Sequence, residues 1–255
     1  MSIDFSRVTE MSDKYGVITQ LELGGRVIWQ LQSGGKVVLQ VEKITSDTYA
    51  AETTYKSEQF ILLDIYPKTN GTVSVTYGGL TKTITDTSGA EEPNAQRVYF
   101  GTFNGVSDDV ATPASGELVI EGDFYTFGLG RYAYSSKVAY SCKCINKISD
   151  FGDVEKILST AFNIAISVGP FTGLTGELVI PSKITSIGLA AFIGNDNLTG
   201  VVFDNPYGWY ATETEGATSG TALDLTDPVK NMSLLTTNTD DNRDCTNGSH
   251  YWYRS

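Results

Sequence analysis

Apolar and polar residues alternate along much of the chain in short runs, each bounded by glycine or another turn former. Residues 17–23 read Val-Ile-Thr-Gln-Leu-Glu-Leu and residues 26–32 read Arg-Val-Ile-Trp-Gln-Leu-Gln, with Gly24-Gly25 between them. Two alternating runs joined by two glycines predict a β-hairpin, because both turn positions can take a positive φ. One face would carry Val17, Leu21, Leu23, Val27, Trp29 and Leu31. A lone hairpin is marginal in water, so that face must be covered by the next domain or by another protein. Ser33-Gly34-Gly35 reads as a short joint.

From Lys36 to about Thr112 the pattern is one of short strands broken by turns. Val37–Ile44 and Phe60–Tyr66 are apolar enough for buried strands. Asn70-Gly71 leads into Thr72–Tyr77, where Val73, Val75 and Tyr77 share a face, and Gly78-Gly79 leads into Leu80–Thr85. Gln96–Phe103 is a further strand, with Val98 and Phe100 on one side. This spacing argues for an antiparallel sandwich of immunoglobulin-like type, without the Cys…Trp…Cys core of an antibody domain.

The second half is self-similar. Gly116-Glu-Leu-Val-Ile120 recurs as Gly176-Glu-Leu-Val-Ile180, and Thr126-Phe-Gly-Leu129 aligns with Ser186-Ile-Gly-Leu189. Val154-Glu-Lys-Ile157 with Ala161-Phe162 aligns with Ile184-Thr-Ser-Ile187 with Ala191-Phe192, and Leu174-Thr-Gly176 with Leu198-Thr-Gly200. Repeats of this kind cannot bury their apolar residues singly and must stack.

The stretch Leu178-Val-Ile-Pro-Ser-Lys-Ile-Thr-Ser-Ile-Gly-Leu-Ala-Ala-Phe192, continued by Asn197-Leu-Thr-Gly-Val-Val-Phe203, resembles the leucine-rich repeat of bacterial surface-antigen type. The match is strongest over 177–203, weaker over 144–176 and faint over 116–134. The segment from Gly208-Trp-Tyr210 to Tyr251-Trp-Tyr-Arg254 is similar to the segment C-terminal to the last such repeat in proteins of gut bacteria and their phages. Ile3-Asp-Phe-Ser-Arg-Val8, with Gly25-Arg-Val-Ile-Trp29, resembles the start of tail and baseplate proteins of phages that infect Gram-positive gut bacteria. These resemblances imply a non-enzymatic virion protein, and they bring no catalytic residues with them.

Composition narrows the function. The 255 residues carry 18 basic and 30 acidic side chains, a net charge of −12, which opposes binding to nucleic acid or anionic membranes. His250 is the one histidine, so a histidine-based triad or a multi-histidine metal site is not expected. Met1-Ser-Ile-Asp-Phe-Ser-Arg7 has neither a basic leader nor an apolar run, so no export signal is expected, and no run is long enough to span a bilayer. Cys142 and Cys144 would share a strand face and cannot readily bond each other; together with Cys245 they read as reduced, packed thiols. Cys142, Cys144, Cys245 and His250 are metal-ligating types at a spacing that matches no zinc pattern. Asp240–Asp244 lacks the glycine of a calcium loop, and Gly128-Leu-Gly130 lacks the rest of a dinucleotide fingerprint. No metal or cofactor is expected, and no paired carboxylates can be singled out for glycoside hydrolysis.

The aromatic group Trp209, Tyr210, Tyr251, Trp252 and Tyr253 is the candidate binding set, since such rings stack on sugars and anchor interfaces. The favoured alternative has them capping the open end of the solenoid. The concave face of the repeats is a second candidate surface.

The expectation is therefore a mainly β chain: an N-terminal docking hairpin (1–35), an Ig-like β-sandwich (36–113), a leucine-rich-repeat solenoid (114–204) and a C-terminal cap (205–255). The expected role is structural, in a phage tail, baseplate or fibre, made in the host cytoplasm and released by lysis. Val27, Trp29 and Leu31 would dock to other virion proteins, and the distal part would meet a host-surface glycan or protein. A capsid decoration or head fibre, a bacterial leucine-rich-repeat adhesin and a glycan-degrading enzyme are the alternatives. Self-association is left open, as no coiled-coil heptads enforce it.

Overall fold

The computed structural model describes residues 35–41, 60–86, 95–103, 115–129, 145–164, 173–237 and 246–255. It also gives the backbone pairing of short strands at 11–13, 16–18, 20–23, 26–30, 106–107, 131–134 and 137–140. The chain divides into two compact units, Met1–Ser33 and Gly34–Ser255.

Among the described residues the first unit has two antiparallel pairs. β1 (Met11–Asp13) pairs with β2 (Gly16–Ile18), and β3 (Gln20–Leu23) pairs with β4 (Arg26–Gln30) across Gly24-Gly25. Leu21 stands opposite Trp29, and the register shifts between Leu21 and Glu22. The alternating run at 17–23 is thus divided between two strands, β2 ending at Ile18 and β3 starting at Gln20.

The second unit opens with β5 (Lys36–Val41), β6 (Phe60–Pro67), β7 (Thr72–Tyr77), β8 (Leu80–Thr85), β9 (Gln96–Phe103) and β10 (Val106–Ser107). Next come β11 (Gly116–Gly122), β12 (Phe124–Leu129), β13 (Arg131–Tyr134), β14 (Lys137–Tyr140) and β15 (Ile145–Phe151). β13 and β14 pair with each other. The rest form two antiparallel sheets with strand orders β15-β5-β11-β7-β8 and β10-β9-β6-β12. Period-two burial drives this assembly: Val37, Leu39 and Val41 of β5 and Val73, Val75 and Tyr77 of β7 point inward, while their neighbours are partly or fully exposed. Tyr77 of one sheet meets Phe100 of the other edge to face, with centroids 5.7 Å apart. Gly78 (φ 59°) and Gly79 (φ 82°) both adopt the left-handed conformation that a two-residue hairpin turn needs.

The remainder comprises β16 (Lys156–Ile157), β17 (Gly176–Ile180), β18 (Ser186–Ile187), β19 (Leu198–Phe203), β20 (Trp209–Thr212), β21 (Thr221–Ala222), α1 (Pro228–Thr236) and β22 (Tyr251–Arg254). Here the pairing becomes parallel: β16 with β18, and β17 with β19. The Thr185 hydroxyl donates to the Glu155 carbonyl, and the Ser159 hydroxyl accepts from the Leu189 N–H, each across 30 residues. Backbone bonds continue the ladder, from Gly188 N–H to Ile157 (2.7 Å), Thr160 N–H to Leu189 (2.9 Å) and Phe162 N–H to Ala191 (2.7 Å). Thr160 (φ 60°) and Ala190 (φ 57°) turn the same left-handed corner in successive layers. Such a corner is costly for a residue with a Cβ, and its recurrence marks the two segments as copies of one shape. Val154, Ile157 and Phe162 are buried in one layer, as are Ile184, Ile187 and Phe192 in the next, and Phe162 stacks on Phe192 at 5.1 Å. The layers are so close that a Cβ on Gly188 would lie 2.2 Å from the Ser159 nitrogen.

Both ends of this ladder are covered. On one side β12 lies against it: the Thr126 hydroxyl donates to the Lys156 carbonyl (2.7 Å), the Leu129 N–H donates to Ala161 (2.7 Å), and Phe127 meets Phe162 at 5.5 Å. The alignment of residues 126–129 with 186–189 therefore has a spatial counterpart, two layers apart. The copy at Gly116–Ile120 lies instead in β11, antiparallel between β5 and β7, whereas Gly176–Ile180 is parallel to β19. On the other side β22 runs antiparallel along β18, where a third parallel layer would have lain. α1, which the alternation of the sequence does not foreshadow, packs on β19; Asp227 caps it by accepting from Val229 N–H (2.9 Å) and Lys230 N–H (3.1 Å).

Candidate binding groove

Five strands form the sheet that closes the ladder, in the order β16-β18-β22-β20-β21. Its register creates two opposed rows of side chains. The inward row runs Ile157, Ile187, Trp252, Ala211. The outward row runs Lys156, Ser186, Tyr253, Tyr210, Ala222. Strand alternation thus splits the five aromatic candidates. Trp252 is 0% and Trp209 2% exposed, so neither ring can meet a ligand. Both serve the core, where Phe203 packs on Trp209 at 5.2 Å and on Trp252 at 6.4 Å, and the Trp209 indole N–H donates to the Asn205 carbonyl at 2.9 Å. Tyr210, Tyr251 and Tyr253 lie half-buried on the outer face.

The three tyrosines form one aromatic surface. Tyr251 and Tyr253 are 6.4 Å apart with planes 13° from parallel, and Tyr210 and Tyr253 are 6.0 Å apart at 36°. The loop after β20 folds back and fixes two of them. The Tyr253 hydroxyl accepts from the Gly216 N–H (2.8 Å), and the Tyr210 hydroxyl donates to the Ala217 carbonyl (3.1 Å). A groove of about 380 Å³ results, lined by these tyrosines with Lys156, Ser159 and Ser186 and walled by Glu215-Gly216. Arg254 stands at its edge, over the Trp209 ring at 5.9 Å, and donates to the Ser182 carbonyl. Among the described residues neither Lys156 nor Arg254 forms an ion pair.

A second concavity of about 460 Å³ separates β15 from β17, with Lys147, Asp150, Glu177 and Val179 among its lining residues. It offers one ring, Phe151, which is 2% exposed.

Val27 and Trp29 lie on β4, but their side chains fall outside the described residues, as does Leu31 altogether. Cys142, Cys144, Cys245 and Asp240–Asp244 also lie outside them. His250 is buried in the turn before β22, its Nδ1 2.9 Å from the Ser249 hydroxyl. Among the described residues no group of three or more His, Cys, Asp or Glu side chains is disposed to hold a metal ion, and no helix is long and apolar enough to cross a membrane. Nothing in the sequence singles out Ser159, Ser186, Glu215 or Gly216. The strand register that places the two serines beside the tyrosines is set by partners about 30 residues or more away, and no local pattern signals it.

The chain matches no protein-family model, no curated protein and no solved structure.

Proposed function

We propose that this chain is a non-enzymatic structural protein of a phage particle, part of the tail, the baseplate or a fibre. The first unit docks to other virion proteins through the β3–β4 hairpin, with Val27, Trp29 and Leu31 as the docking residues. The second unit is presented to the host surface. In finer terms, its two antiparallel sheets are an immunoglobulin-like sandwich, and the 30-residue parallel ladder is a short leucine-rich-repeat solenoid closed by a C-terminal cap.

The observation that supports the display part of this reading is the ladder covered at both ends, by β12 on one side and β22 on the other, while the virion setting rests on the sequence resemblances. A stack sealed in this way does not extend by adding further layers, so it suits a rigid module of fixed size that displays an outer face. That face bears the preformed tyrosine groove. Immunogold electron microscopy of purified particles, with an antibody against residues 36–255, tests the assignment. Gold at a tail tip, baseplate or fibre is the expected result. Gold over the head would make the chain a capsid decoration. Particles without gold, with label on bacterial cells, would overturn the virion reading in favour of a bacterial adhesin.

A further inference from the structure

We infer that the groove over Tyr210, Tyr251 and Tyr253 is a saccharide site that takes a short pyranose chain. The inference deepens the host-contact reading and rests on it for its biological setting. Its physical basis is separate.

A pyranose ring has an apolar face of C–H bonds and a rim of hydroxyls. The C–H face packs on the electron-rich face of an aromatic ring, and the rim needs fixed hydrogen-bonding groups. The groove supplies both. Three tyrosine rings line it, Tyr253 lying 6.0 Å from Tyr210 and 6.4 Å from Tyr251. Ser159, Ser186, Lys156 and Glu215 line the same groove and bring hydroxyl, ammonium and carboxylate groups to it. About 380 Å³ lies within the range of small-ligand sites. Two rings are fixed before any ligand arrives, through the Gly216 N–H and the Ala217 carbonyl, so little ordering entropy opposes binding.

The same geometry disfavours a peptide. The strands beneath the rings, β18, β22 and β20, are interior to their sheet and paired on both sides, so an extended chain finds no free edge to join. The two tryptophans of the aromatic group, Trp209 and Trp252, are buried and cannot anchor a protein partner in the groove. Nucleic acid is disfavoured by the net charge of −12.

The test applies the full chain to an array of pyranose oligosaccharides, neutral (hexose and N-acetylhexosamine) and acidic (uronate-containing and phosphodiester-linked). The retained sugars are then titrated against the chain, with the fluorescence of the underlying tryptophans as the readout. Retention is expected, with affinity falling about tenfold or more in Tyr251→Ala. That ring stands on the outer face and its hydroxyl makes no hydrogen bond among the described residues, so the fold should survive its loss. Lys156→Ala separates the two arms. A loss confined to acidic sugars makes the ammonium the charge reader, and an equal loss on both makes it a hydroxyl donor. Either outcome upholds the site. Retention of no sugar by the wild-type chain, or equal retention by Tyr251→Ala, would overturn it. So would competition by deglycosylated surface protein alone. None of these failures alters where gold is found on a particle, so the virion reading is judged separately.

Discussion

Buried asparagines hold the corners of the ladder. At each corner the turning backbone leaves N–H and C=O groups that need partners away from water. Asn195 meets this need three times: its Oδ1 accepts from the Leu174 N–H (2.9 Å), and its Nδ2 donates to the carbonyls of Phe162 (2.9 Å) and Phe192 (2.7 Å). Asn247 repeats the arrangement at the capped end, accepting from Ala191 N–H (2.8 Å) and donating to the carbonyls of Gly188 (3.0 Å) and His250 (3.1 Å). Asn195→Ala would strand an N–H and remove a donor from two carbonyls in a buried site. Urea denaturation should register a loss of about 2–4 kcal/mol. A loss below about 0.5 kcal/mol would mean that water replaces the side chain freely. The sequence does not reveal this role, because an asparagine among glycine and aspartate reads as an ordinary turn residue. The five rings read as one set in the sequence, and it is strand alternation in Trp209-Tyr210 and Tyr251-Trp252-Tyr253, where adjacent residues face opposite ways, that divides Trp from Tyr.

Elements whose partners are close in sequence are legible in it. β7 and β8 run from Thr72 to Tyr77 and from Leu80 to Thr85, as the alternation and Gly78-Gly79 dictate. The two copies of Gly-Glu-Leu-Val-Ile show where legibility ends. Each is a strand, with Leu118 and Ile120 or Leu178 and Ile180 inward, yet one joins an antiparallel sheet and the other a parallel pair. Five residues specify alternation, and the distant partner decides direction. Across the layers the decisive contact is aromatic. Phe162 stacks on Phe192, and its edge contacts reach Phe127 at 5.5 Å and Phe151 at 6.4 Å. It therefore joins the ladder to strands of both sheets. Phe162→Ala should cost about 3–5 kcal/mol, since the fixed layers around it cannot close the cavity. The double variant with Phe192→Ala should cost less than the two single losses together, because both remove the same stack. Simple additivity in a double-mutant cycle would show that the two rings contribute independently.

At the scale of the whole molecule, the sheets and the ladder of the second unit share one apolar core. A single cluster of buried residues extends from Val37 and Ile61 through Phe127 and Phe162 to Trp252. Two strands make the division of that unit costly. β12 pairs with β6 in one sheet while also covering the first layer of the ladder, and β15 pairs with β5 while the Thr175 N–H donates to its Asn146 carbonyl (2.8 Å). Separating sheets from ladder would expose Phe127 and Phe162 at once and leave backbone groups unpaired. The C-terminal strand is no more dispensable, because Trp252 is buried and lies opposite Ile187 and Ala211 in register. On this packing the parts on either side of the joints that the sequence suggests near residues 113 and 204 are expected to unfold together. A chain starting at Gly34 should melt in a single calorimetric transition whose van't Hoff and calorimetric enthalpies agree. A chain ending at residue 204 lacks β20, β22 and α1, and should give no such transition, because the outer edge of β18 and the apolar face of β19 are then bare. Two resolved transitions from the 34–255 chain would show that sheets and ladder fold independently, and the shared core would then be an interface between separate domains.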